Sequence, residues 1–218
     1  KYFYASYVAN SGKIDEAKKI VKSAIKLYPR NLLLNQYKID LDKNKNISVF
    51  DCKKEAHVIS EILYITANAL SSQSIYPLSN FYLNLAKFLN DDFHSYDTLL
   101  AENFYKIDNY TKAKKIYNNL SKQGKAFAWY SSKQLAKIFL EEEKNDKALK
   151  LVTDAYNILT VKDIYETFDY AEFLKNNEKF EDSIIFYSKI IDEVEKDHPL
   201  YAEATDGRGI AYERVGEW

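Results

Sequence analysis

Small and large hydrophobic residues recur along this chain at helical spacing, interrupted by short polar clusters. In "GKIDEAKKIVKSAIKLYP" (residues 12–29), Ala17, Val21 and Ala24 follow one another at steps of four and three, with Pro29 five residues further on. Such steps place side chains on one helical face, and a proline beyond the last turn stops the helix. The same ruler fits Ser79, Leu83, Ala86 and Asp91, then Ala113, Tyr117, Leu120 and Lys125. It fits again at Ala148, Val152, Ala155 and Thr160, and at Ser183, Tyr187, Ile190 and Glu195. Twelve residues before each first member stands another small residue: Ala5, Ala67, Ala101, Ala136 and Ala171, with Gly209 opening a further unit. From Ala67 onward these are 34, 35, 35 and 38 residues apart.

The polar clusters "KIDNYTKA" (106–113), "EEEKNDKA" (141–148) and "KNNEKFED" (175–182) separate apolar-periodic segments and place Asp or Asn where helices are entered or left. The pattern predicts helices at about 2–11, 13–28, 31–42, 54–72, 76–90, 94–107, 110–123, 129–142, 145–159, 163–176, 179–196 and 200–215, and no strand. Units run over about 1–30, 60–93, 94–127, 129–162 and 164–197, with a partial unit at 202–218. Residues 31–59 break the period: a lone first helix at 31–42 leads through a loop to a long helix near 54, as a bend or as a decayed repeat. Alanine-sized slots are needed where helix axes approach to about 8–10 Å. Leu, Tyr, Phe and Ile beside them fill the remaining volume, so each helix is expected to bury more than one apolar stripe.

A period near 34 with a small-x3-large-x2-small second half resembles the tetratricopeptide repeat. Tyr110 and Phe180 supply that family's aromatic three residues before the small position, and Trp218 does so in the last unit; Ile14 and Asn145 replace it elsewhere. "DGRGIAYERVGEW" (206–218) and "ANALSSQSIYPLSNFYLNLAKFLNDD" (67–92) look similar to the long tetratricopeptide proteins of proteobacteria. The resemblance implies an all-α, right-handed α-solenoid of stacked antiparallel hairpins, a single array truncated within repeats at both ends. More repeats or another domain are expected beyond it.

Composition narrows the function. Lys+Arg 31 against Asp+Glu 32 leaves almost no net charge, which argues against nucleic acid or an anionic membrane as partner. The single Cys52 cannot form an intrachain disulfide or a multi-cysteine metal site, and reads as a buried or idle thiol. No apolar run approaches the ~18 residues of a membrane span. Lys1 in place of an initiator methionine is compatible with a removed signal peptide or upstream domain, so the compartment is open between cytoplasm and periplasm. No glycine-rich phosphate loop, H-E-x-x-H or G-x-S-x-G occurs. His57, His94 and His198 are far apart and read as surface or capping residues, and "EEEK" (141–144) reads as a solvated turn. Neither catalysis, nor a metal, nor a cofactor is indicated.

Surface shape then carries the function. In the family, ligand contacts fall at the second, fifth, ninth and twelfth positions of each unit, on the first helices that line the concave face. Carried onto this chain, the resemblance implies a groove of Tyr64, Asn68, Thr98, Glu102, Tyr105, Tyr130, Lys133, Lys137, Tyr165, Phe168, Glu172 and Asp206. Such a groove suits a protein or peptide partner with apolar anchors and charge. Two lysines on a single first helix do not match the family's clamp for a C-terminal carboxylate. An adaptor fused to a catalytic domain outside this chain is the alternative; a helical RNA reader fits less well, and self-association through open ends is compatible.

Overall fold

A computed structural model describes residues 1–45 and 49–216. Among them are twelve α-helices and no strand: α1 (Tyr2–Asn10), α2 (Ile14–Leu27), α3 (Leu32–Asp42), α4 (Glu55–Ser72), α5 (Tyr76–Leu89), α6 (Ser95–Lys106), α7 (Tyr110–Leu120), α8 (Lys125–Glu141), α9 (Asn145–Ile158), α10 (Ile164–Asn176), α11 (Phe180–Glu193) and α12 (Pro199–Val215). Trp218 lies outside the described residues. The chain divides into two compact units, Lys1–Ile138 and Phe139 onward, and the boundary falls within α8.

The small slots are where the helices touch. Ala5, Ala67, Ala101, Ala136 and Ala171 on first helices are completely buried, and so are Ala17, Ser79, Ala113, Ala148 and Ser183 on second helices. In the first unit α1 packs on α2, α4 on α5, and α6 on α7; in the second α10 packs on α11, and α11 on α12.

Each first helix that leads into a second helix closes by the same device. Gly12, Ser74, Asp108, Glu143 and Glu178 all take the left-handed conformation (φ 82°, 62°, 56°, 58° and 61°), each five residues before the small slot of the following helix. The next amide reaches back to close the turn, Lys13 to Val8 at 3.2 Å, Ile75 to Leu70 at 2.9 Å, and Lys179 to Leu174 at 2.9 Å. Only Gly12 occupies this conformation without a Cβ penalty.

α3 ends the same way, with Asn44 at φ 55° and Lys45 N–H on the Asp40 carbonyl at 2.9 Å, yet no second helix follows among the described residues until α4. The segment is thus a first helix without its partner. It is anchored at the turns of later hairpins. The Ala126 amide donates to Gln36 Oε1 at 3.0 Å, and Gly124 lets that side chain in, since a Cβ there would lie 2.2 Å from it. Asn90 Nδ2 donates to the Val49 carbonyl, and Tyr2, Phe3 and Phe50 gather round Phe93 at the α5–α6 turn.

Gly209 keeps the register of the first-helix slots, standing seven residues before the left-handed Gly216 as Ala5 does before Gly12, but it is exposed with open space at its missing Cβ. The close approach in α12 is made at Gly207, where a Cβ would lie 2.6 Å from the Tyr187 ring. The expectation that each helix buries more than one stripe needs correction: α4 and α5 each leave a second apolar row in water. Of the two readings of Cys52, buried or idle, burial does not hold, since the thiol is exposed.

Candidate binding face

Three first helices of the first unit, α4, α6 and α8, carry the expected contact residues. Asn68, Glu102 and Lys137 occupy one position in successive repeats, and all three are exposed. Asn68 Nδ2 donates to the Tyr64 carbonyl one turn earlier at 3.1 Å, and Thr98 Oγ1 donates to the Ser95 carbonyl at 2.7 Å. Both are local bonds that leave the side chains on the helix surface.

The tyrosines divide between surface and core. Tyr64 is half-buried, its ring 5.2 Å from Tyr96 and 6.3 Å from Phe93, and burial raises its phenol above the ordinary range. Tyr105 lies 5.8 Å from the Tyr110 ring. Tyr130 on α8 donates to Glu102 Oε1 on α6 at 2.5 Å and stands edge-on to Tyr117 at 6.0 Å. Burial, and then the Glu102 carboxylate, push the Tyr130 phenol far up, so it stays a donor at any working pH. Lys133 lies 5.4 Å from the Trp129 ring centre, a cation–π contact on its own helix.

In the second unit Glu172 on α10 accepts hydrogen bonds from Tyr187 Oη on α11 and, at 2.7 Å, from Lys175 Nζ. Burial first, and then Glu172, raise the Tyr187 phenol. Tyr165 is half-buried, 5.9 Å from the His198 ring, and Asp206 is exposed on α12. Phe168 is 7 % exposed and belongs to the core with Tyr187 and Leu200, so its side chain supports this face from beneath and cannot line it.

The histidines have structural employment. His198 Nδ1 accepts the Leu200 amide at the start of α12, His57 Nδ1 accepts the Asp51 amide, and His94 packs edge-on against Phe127 at 5.6 Å. Lys144 of the acidic turn bonds Glu142 at 2.8 Å. Among the described residues no group of three or more His, Cys, Asp or Glu could hold a metal ion, and no helix is long and apolar enough to cross a membrane.

Sequence reasoning missed the carboxylate–tyrosine bonds at Glu102 and Glu172. Spacing alone would have misled: Tyr117 and Tyr187 stand at the same distance after Glu102 and Glu172, yet only Tyr187 bonds its carboxylate, and Glu102 is bonded by Tyr130 of α8 instead.

Against solved structures, the chain matches the crystal structure of nearly identical TPR-like repeats from Podosopora anserina, in a chain assigned to the kinesin light chains, at a TM-score of 0.54. The fold is TPR-like. That match covers 72% of this chain and 86% of the fungal one at 11% identity, and a point variant of the same protein gives the same values. YrrB, a TPR protein with an unusual peptide-binding site, matches at a TM-score of 0.44 and 14% identity, covering 90% of this chain and 84% of its own. The likeness reaches the TPR-like fold and does not single out the proteobacterial proteins. No family model and no curated protein sequence matches the chain.

Proposed function

We propose that the first-helix faces dock a peptide segment of another protein, without catalysis. The observation that carries this reading is the exposed row Asn68, Glu102 and Lys137, one residue per repeat in the first unit, flanked by the half-buried phenols of Tyr64, Tyr105 and Tyr130 and by Lys133 and Thr98. Row spacing of one contact per hairpin suits a peptide read along its length, with phenol rings giving apolar area and the charges giving orientation. In the second unit, taken by itself, Tyr165 and Asp206 offer similar side-chain types, Glu172 is held by Tyr187 and Lys175, and Phe168 lies in the core. Near-zero net charge favours a peptide of mixed charge over a polyanion.

Selection from a random 12-residue peptide display library against the chain supplies the probe. Peptides combining an aromatic residue with both signs of charge are expected. The charge swaps Glu102→Lys and Lys137→Glu should each weaken a selected peptide about tenfold, the size of one lost charge-assisted contact. Titration calorimetry showing unchanged affinity in both variants removes these residues from the binding face.

A further inference from the structure

α4 and α5 pack on one another, and both carry an outward apolar row. On α4, Ile62 and Ile65 are 58% and 60% exposed; on α5, Phe81 and Phe88 are 55% and 87% exposed. The repeat itself tells what the α4 row is for. One period of 34 residues later, Ile62, Ile65 and Ala69 correspond to Tyr96, Leu99 and Asn103 of α6, all buried beneath the α4–α5 hairpin. There Tyr96 Oη bonds Ser60 Oγ at 2.8 Å, and Asn103 Nδ2 bonds Ser79 Oγ and Asn80 Oδ1, both at 2.9 Å. These positions are where a first helix receives the hairpin before it. For α4 no such hairpin stands in front among the described residues, where α3 has no second helix and is anchored instead at the turn before α8.

The α5 row is equally anomalous. Leu78, Phe81, Leu85 and Phe88 correspond to Glu16, Lys19, Ser23 and Lys26 in α2, to Lys112, Lys115, Asn119 and Lys122 at α7, and to Lys147, Lys150, Asp154 and Asn157 in α9. All of these are exposed, and in those three hairpins all are polar or charged. In α11 only Ile185 departs from that rule. Four apolar residues at four solvent positions of one helix are not explained by burial within the chain.

We propose that a second copy of this chain covers the outward rows of α4 and α5, forming a two-fold dimer. The α4 row stands where the matching row of α6 is covered by helices, and a second copy presents its own α4 and α5 rows to cover it. The exposed apolar side chains amount to several hundred Å², comparable to one partner's share of a stable interface, about 800 Å², and larger than isolated surface residues leave exposed. Neither row contains a charge, and α4 and α5 together hold only Glu55, Glu61 and Lys87 as charged residues. Two identical faces therefore meet without like-charge repulsion, and a closed two-fold contact hides both at once.

Sedimentation velocity of the chain between about 1 and 100 μM tests this. A monomer–dimer equilibrium is expected, weakened at least tenfold by Ile65→Glu and by Phe81→Glu, and untouched by Lys150→Glu at the matching position of α9. Because Ile65 and Phe81 are exposed, helical circular dichroism should stay as in the parent, and the Tm of the variants should equal that of the parent diluted to its monomer. A chain that remains monomeric at 100 μM, a dimer that both variants leave intact, or an open series of larger species in place of a dimer overturns the proposal.

Discussion

Glu102 and Glu172 stand two repeats apart at the same position of a first helix, each bonded to a tyrosine, yet they do different work. Glu172 is drawn into its own hairpin: Tyr187 and Lys175 both donate to one oxygen, and Lys175 is 14% exposed at its side chain. Glu102 reaches forward to Tyr130 on the next first helix and remains exposed. One carboxylate is neutralised by an internal lysine, whereas the other keeps its charge on the surface. Position in a repeat sets where a side chain stands; the neighbour it finds there sets whether it holds the fold or is available to a ligand.

Several changes would break or sharpen this contrast. The largest effect is expected at Gly207, whose missing Cβ makes room for the Tyr187 ring. Gly207→Ala should cost about 1–3 kcal/mol by overpacking, whereas Gly209→Ala, two residues on in open space, should stabilise the helix by up to about 1 kcal/mol. Urea unfolding of the two variants reads both, and an equal response would remove the close approach at Gly207. Next comes the pair itself. Tyr187→Phe takes a donor from the carboxylate beside Lys175 and should cost about 1.5 kcal/mol, while Tyr130→Phe, at an exposed carboxylate that water can serve, should cost less than about 1 kcal/mol.

The hairpin turns offer a gain of similar size. Glu178→Gly relieves a left-handed residue and should stabilise by about 1 kcal/mol, offset in part by the entropy of an unfolded glycine. A lower Tm for that variant would mean that the Glu178 side chain contributes more than its backbone costs.

The smallest effect concerns pH in the first unit. Burial lowers the His94 pKa below 6.5, against the opposing pull of Asp97 and Asp92. The folded state therefore holds fewer protons at His94 than the unfolded chain, so this stability is present above about pH 6.5 and lost as pH falls toward the lower folded value. Burial raises the Glu61 pKa, with Oε2 lacking a hydrogen-bond partner among the described residues. That term has the opposite sign, favouring the fold at low pH and fading as pH rises through the folded value. Glu61→Gln should raise Tm at pH 7 and change it little at pH 4, a contrast that thermal scans at the two pH values measure directly.

Much of the architecture was legible before any coordinates. Ala5, Ala17, Ala67, Ala101, Ala113, Ala136, Ala148 and Ala171 mark helix contacts because a rod cannot approach another rod through a bulky side chain, and that constraint acts on residue size alone. The binding face was legible only as a set of positions. Phe168 sits at such a position and is core, Tyr64 is half core, and Glu102 is tied to Tyr130. Position predicts direction from the helix axis, but burial depends on what the next hairpin brings.

The chain by itself determined the twelve helices of the described residues, the hairpins α1–α2, α4–α5, α6–α7 and α10–α11, and the small residues at their crossings, since periodicity and side-chain volume are local properties. Only the tertiary structure decided that α3 would dock on the turn before α8, that Gly207 rather than Gly209 would admit Tyr187, and that the apolar rows of α4 and α5 would face water. Each of these depends on contacts between segments distant in sequence, where one helix's stripe is buried or open according to whether another helix arrives to cover it.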